Sequence, residues 1–342
     1  MKAMVLSRIC DLRDNREPLK LLKMPVPVPS DNEILIRVTA CGVCHTELDE
    51  IEGRTPPPNF PIVLGHQVVG NVVQTGGNAR RFNNGDRAGI AWIHSACGKC
   101  VACNNGNENL CAAFKATGRD THGGYAEYTT VSEDFAYKIP NVFSDAHAAP
   151  LLCAGAIGYR SLRLAEIKNG DHLGLTGFGA SAHLVLKMVR YRHPNSKVFV
   201  FARSEKERGF AKELGAVWAG DTTDTAPCPL QAVIDTTPAW KPVVEALGNL
   251  AVGGRLIINA IRKEDRDKKY LLELDYPRHL WLEKEIKSVA NVARSDVEGF
   301  LKLAAQIPIM PHVQKFPLEK ANQALLELKE RKIYGAKVLV IE

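Results

Sequence analysis

Asp171-His-Leu-Gly-Leu-Thr-Gly177-Phe-Gly179-Ala-Ser-Ala182 decides how the middle of this chain folds. Its first half is a short apolar run of strand type; glycines follow at 177 and 179, and Ala182 stands near the start of an amphipathic stretch over 181–191. A G-x-G-x-x-A pattern between strand and helix has a mechanical reading. Gly177 permits the tight turn, Gly179 lets the backbone approach a pyrophosphate at the helix N-terminus, and Ala182 lets helix pack on strand. Ala180 and Ser181 share that turn, so all five residues are candidate dinucleotide contacts.

The same texture continues outward. Apolar runs at 197–201, 231–235 and 254–259 alternate with amphipathic segments at 204–214 and 242–251, and that alternation predicts an α/β domain with a doubly wound parallel sheet over residues 151–290. Residues 1–150 read differently: rich in glycine and proline, with short β-branched runs at 33–38 and 68–73, they predict a mainly antiparallel β domain. Residues 291–342, with helices expected at 296–305 and 318–329 and a β run at 337–341, are assigned to that first domain, although pattern alone leaves open which sheet the last strand joins.

The second strand of the doubly wound unit runs through Val198-Phe-Val-Phe201 into Ala202-Arg203-Ser204, without the acidic tip that binds a ribose 2′-hydroxyl in NAD enzymes. Arg203 and Ser204 could together hold a 2′-phosphate. The alternative is an exposed Arg203 stacking on adenine in an NAD enzyme; the balance leans to NADP.

Composition narrows the function class. The chain has 342 residues, 45% hydrophobic and 24% charged, which suits two globular domains and excludes a disordered or fibrous protein. The net charge is +6, yet no run of five basic residues occurs, so no nucleic-acid partner is implied. No stretch approaches the ~18 apolar residues of a membrane span and no cleavable leader is visible, so a cytoplasmic protein without membrane association is expected.

Nine cysteines are present, an odd number, and six fall between Cys41 and Cys111. Metal binding explains them better than disulfides. Cys97-Gly-Lys-Cys100-Val-Ala-Cys103 with Cys111 places four thiols in a fifteen-residue loop, within a lobe spanning 95–112, that has little hydrophobic sequence of its own. A tetrahedral zinc would supply the missing core, and four protein ligands leave no position for substrate, so that zinc is structural. Cys41 is read as packing, and Cys10 and Cys228 as structural.

Three more segments complete the pattern: Cys41-Gly-Val-Cys44-His45-Thr46, Pro61-Ile-Val-Leu-Gly-His66, and Ala149-Pro-Leu-Leu-Cys153. Taken with the cysteine lobe, and in this order along nearly the whole chain, they resemble the zinc-containing medium-chain alcohol dehydrogenases. The resemblance implies a GroES-like catalytic domain beside a Rossmann domain, and reversible hydride transfer between a primary or secondary alcohol and NAD(P). It implies a catalytic zinc on Cys44, His66 and Cys153, Thr46 as the proton-relay hydroxyl, Glu47 orienting the histidine ligand, and His45 on the cofactor pyrophosphate. The ligand sets imply two zinc ions per chain, and relatives of this length imply a homo-oligomer, tetramer or dimer. Pocket walls are expected from Thr46, Trp92 and Phe114. A reductase of activated alkenes or quinones on the same fold is the alternative.

Two positions depart from the family. Gln67 follows His66 where a glutamate is usual, leaving the site more positive, and Asp49 stands where many members end the relay on a histidine. Lys337 lies one residue out of register with an arginine that contacts the pyrophosphate in relatives.

Overall fold

The structure, a computed structural model, describes residues 1–307, 309–330 and 335–342. It divides into two compact units, Met1–Cys153 with Ala293–Glu342, and Ala154–Val292.

The first unit is built on a seven-stranded sheet whose longest member is Glu33–Val43. Gln67–Thr75 and Ala336–Val340 flank that strand, both antiparallel to it, and Tyr128–Ser132 pairs with its N-terminal half. The last strand of the chain therefore lies beside the third, with Val338 opposite Gly42. A smaller sheet places Lys2–Leu6 between Leu19–Lys23 and Ile62–Val63. Ile34, Ile36 and Val38 alternate inward from the long strand and join Met4, Leu6, Val68, Val72 and Leu339 in one core. This period-two pattern is what a strand needs when one face is buried against side chains.

The cysteine lobe leaves this unit between Ile93–Ser95 and Lys115–Ala116, a two-stranded antiparallel ladder that brings the ends of the loop together.

The second unit is a six-stranded parallel sheet: β1 (His172–Thr176), β2 (Lys197–Phe201), β3 (Trp218–Gly220), β4 (Leu230–Asp235), β5 (Leu250–Ile258) and β6 (Glu285–Ser288). Their order in space is β3-β2-β1-β4-β5-β6. That order reverses direction between β1 and β4, the place where doubly wound sheets open a crevice beyond the strand ends. Helix Ala182–Arg192 follows β1 and buries Leu184, Val185, Leu186, Met188 and Val189.

The expected helix over 242–251 ends earlier: it spans Lys241–Gly248, and β5 has begun by Leu250. Asn249 makes the break, since its side-chain Oδ1 accepts from the Ala226 backbone and its Nδ2 donates to the carbonyls of Asp224 and Glu245. Among the described residues no helix is long and apolar enough to cross a membrane.

Candidate active site

Cys44, His66 and Cys153 come from three separate elements of the first unit. Cys44 ends the run that follows Glu33–Val43 and caps the short helix His45–Ile51. His66 precedes strand Gln67–Thr75, and Cys153 ends the turn Ala149–Leu152. Their sulfurs and ring nitrogens lie within 4.8 Å of one another, with Cys44 Sγ 3.9 Å from Cys153 Sγ and His66 Nε2 3.4 Å from Cys153 Sγ.

Each arm has an identifiable anchor. Gly65 adopts φ +96°, and a Cβ there would stand 2.4 Å from Tyr125 Cδ1 and 2.9 Å from Cys41 Sγ, so only glycine fits beside the ligand histidine. Cys41 is the buried wall of that contact, and all nine cysteines are free. The segment leading to Cys153 is tied down at Asp145, whose two oxygens accept from Thr39 Oγ1 and Arg87 Nε, each at 2.6 Å.

Glu47 joins the first two ligands. Its Oε2 accepts from the Cys44 backbone N–H at 2.7 Å, and its Oε1 lies 2.6 Å from His66 Nδ1. Burial disfavours a charged His66, but Glu47 and the Cys44 sulfur outweigh it and hold the imidazole well above its ordinary pKa. Burial pushes the Glu47 carboxyl up, against the pull of His66. The hydrogen bond from Cys153 draws the Cys44 thiol well below its usual range and pushes Cys153 well above.

Both cysteine-bearing sites fit zinc on an independent criterion. Sulfurs about 2.3 Å from a tetrahedral centre stand roughly 3.8 Å apart, and a sulfur and an imidazole nitrogen stand roughly 3.6 Å apart. The distances among Cys44, His66 and Cys153 sit close to those values. In the lobe, Cys97 and Cys103 are 3.9 Å apart and Cys100 and Cys103 are 3.6 Å apart, too far for disulfides. Backbone N–H groups of Lys99 and Cys100 lower the Cys97 pKa to about 6, while burial and Cys100 raise Cys103 to about 12.

Thr46 is nearly buried, with Oγ1 3.6 Å from Cys44 Sγ. Asp49 faces elsewhere: Arg54 Nε donates to its carboxylate. His45 is exposed at the first turn of its helix. Gln67 folds over strand Glu33–Val43, where a Cβ on Gly42 would stand 2.5 Å from its Oε1. Trp92 and Phe114 pack at 5.3 Å between ring centroids, and the Arg119 guanidinium covers both rings at 5.2 and 5.6 Å.

In the second unit, Gly177 turns at φ +74°, where a Cβ would meet Thr237 Cγ2 at 2.9 Å, whereas nothing lies within 4 Å of a Cβ built on Gly179. One glycine is demanded by packing and the other leaves open space in front of the helix. Ala182 is fully buried, and Ser181 Oγ accepts from Asn259. The loop facing Gly177 is clamped by Lys263, whose ammonium donates to buried Asp235 and to the carbonyls of Thr237 and Ala239. At the tip of β2, Arg203 is exposed and Ser204 Oγ caps helix Glu205–Glu213 by accepting from Glu207 N. Asp221, just past β3, is held by Arg208 at 3.4 Å.

Comparison with known proteins decides the family. Residues 30–141 match the alcohol dehydrogenase GroES-like domain. Over 329 residues the chain is 42% identical to a probable alcohol dehydrogenase, AdhA, of Mycobacterium tuberculosis, covering 95% of this chain and 93% of that one. This chain belongs to the zinc-containing medium-chain alcohol dehydrogenases. An alcohol dehydrogenase of Geobacillus stearothermophilus is 29% identical over 96% of this chain and 97% of its own. The fold of a cobalt- and zinc-bound alcohol dehydrogenase from Pyrobaculum aerophilum superposes with TM-score 0.86 at 23% identity, covering 99% of each chain.

Lys337 differs from the expectation. It is buried, its ammonium donating to Glu327 at 2.6 Å and Gln314 at 2.8 Å above the Phe316 ring, so it has no ammonium to offer a pyrophosphate. Sequence reading also passed over Glu50, a fully buried acid in helix His45–Ile51. Its burial depends on tertiary packing, but its place three residues after Glu47 was visible.

Proposed function

We propose that Cys44, His66 and Cys153 would hold a zinc ion that polarises an alcohol or aldehyde oxygen, and that Gly177, Gly179, Ala180, Ser181 and Ala182 cradle the dinucleotide. The observation that carries this reading is the convergence of two sulfurs and one imidazole at tetrahedral spacing, with three protein ligands rather than four. The unit of residues 1–153 and 293–342, three residues longer at Cys153 than the glycine- and proline-rich texture suggested, then acts as the catalytic domain and 154–292 as the dinucleotide domain. When bound, zinc supplies Lewis acidity to the substrate oxygen and the nicotinamide carries the hydride.

The remaining steps belong to the chain. Thr46 Oγ1, beside Cys44 Sγ, receives the proton from the alcohol and passes it outward. Glu47 fixes the His66 ring so that Nε2 faces the metal. Asp49, paired with Arg54, ends the relay only if that pair opens. Cys97, Cys100, Cys103 and Cys111 hold a second, structural zinc. His45 contacts the pyrophosphate, and Arg203 with Ser204 favours NADP over NAD. Trp92 and Phe114, whose rings lie under the Arg119 guanidinium, are the walls offered to a primary alcohol.

A homo-oligomer is supported by apolar residues exposed around edge strand β6: Val252, Trp281, Leu282 and Ile286. Sedimentation at the 37.5 kDa of one chain would refute that part.

Steady-state oxidation of a panel of alcohols, with NAD and NADP run separately, tests the activity. Alcohol-dependent reduction of a cofactor supports it, while turnover only of an enone or quinone would move the assignment to a reductase.

A further inference from the structure

Four acids stand in or just after helix His45–Ile51, and three have partners. Glu47 meets His66, Asp49 meets Arg54, and Glu52 meets Arg54 and Lys329. Glu50 differs: it is fully buried, and neither carboxylate oxygen has a hydrogen-bond partner among the described residues.

Such a carboxylate is stable as an anion only against a cation. Burial, Glu47 and the Cys44 sulfur push its carboxyl up, while His66 and Arg119 pull the other way. Arg119 does not answer it. Its guanidinium is bound to Asp120 through Nε at 3.2 Å and Nη2 at 2.8 Å and lies over the Trp92 and Phe114 rings. The residue beside ligand His66 offers no charge either, because Gln67 carries a neutral amide packed on Gly42. Glu50 lies three positions after Glu47, so the two acids share a side of the helix whose first member already touches a ligand.

We infer that Glu50 is an electrostatic partner of the metal held by Cys44, His66 and Cys153, supplying from the helix the negative charge that position 67 lacks. Its role is to retain the ion and set the charge of its surroundings, not to touch substrate. This inference rests on the reading of those three residues as a zinc site.

The test is the rate at which a chelator removes zinc from the intact protein, with zinc per chain counted before and after. Glu50→Gln is expected to release one of two zinc ions about 10–100-fold faster than wild type, with the lobe zinc unaffected. Adding Gln67→Glu to Glu50→Gln is expected to slow that release again, which a merely structural role would not produce. Cobalt substituted at the site gives a second readout, its visible absorption shifting in Glu50→Gln and returning in the double variant. If Glu50→Gln misfolds, Gln67→Glu in the wild-type background replaces it, with slower release expected and an unchanged rate overturning the inference. Wild type with two zinc ions and Glu50→Gln losing them at the wild-type rate overturns the inference alone. Wild type with zinc in the lobe only overturns the zinc-site reading and the inference with it.

Discussion

Oε1 of Glu47 lies 2.6 Å from Nδ1 of His66, with both side chains out of solvent. The contact fixes which ring nitrogen is left to face Cys153. A carboxylate behind a ligand imidazole sets both its tautomer and its basicity. Glu47→Gln keeps the shape and removes the charge, so metal affinity at this site is expected to fall about 10–100-fold. Competition with a chromophoric chelator reads it, and an unchanged affinity would deny Glu47 that role.

The cysteine lobe makes a separate prediction about stability. Cys111 is buried among the lobe thiols, and the loop has few other apolar side chains. Cys111→Ser should remove one zinc per chain and at least about 2 kcal/mol of stability, lowering Tm by roughly 5 °C or more. Thermal denaturation alongside metal analysis checks this; loss of zinc with no change in Tm would leave the lobe without a stabilising role.

Lys337 should matter for folding and not for cofactor. Replacing it with methionine removes the ammonium that bonds Gln314 and Glu327, while Glu327 keeps its bond from Gln323, at a cost of about 1–3 kcal/mol. Denaturant unfolding should show that loss, while the dissociation constant for the dinucleotide, titrated by fluorescence, stays at its wild-type value. A weakened dinucleotide with intact stability would return Lys337 to the pyrophosphate.

Cofactor choice turns on Arg203. A charge-assisted bond to a 2′-phosphate contributes about 1.5–3 kcal/mol, so Arg203→Ala should raise KM for NADP roughly 10–100-fold and leave KM for NAD nearly unchanged. Equal effects on both cofactors would fit stacking on adenine instead.

What could be read from sequence follows the range over which each feature is determined. The four-cysteine spacing and the glycine turn are local, so the residues brought together at Cys97–Cys111 and at Gly177–Ala182 were already adjacent in the chain. The β1, β2, β4 and β5 runs were equally legible because buried parallel strands are continuous apolar runs, whereas three-residue β3, Trp-Ala-Gly, passed unread. Strand β6, Glu-Ile-Lys-Ser and exposed throughout, carries no such signal. Cys44, His66 and Cys153 lie far apart in the chain, and only resemblance joined them before the structure did. Glu50 was passed over and Lys337 misread for one reason: whether a charged side chain is buried, and beside what, is decided by strands and helices from elsewhere in the fold.

Alcohol turnover is proposed to depend on a zinc ion held by Cys44, His66 and Cys153. Zinc per chain, measured together with alcohol-dependent cofactor reduction in wild type and Cys44→Ser, tests it most directly. Two zinc ions and turnover are expected in wild type, with one zinc and no turnover in the variant. Equal zinc content and equal turnover in the two proteins would contradict it.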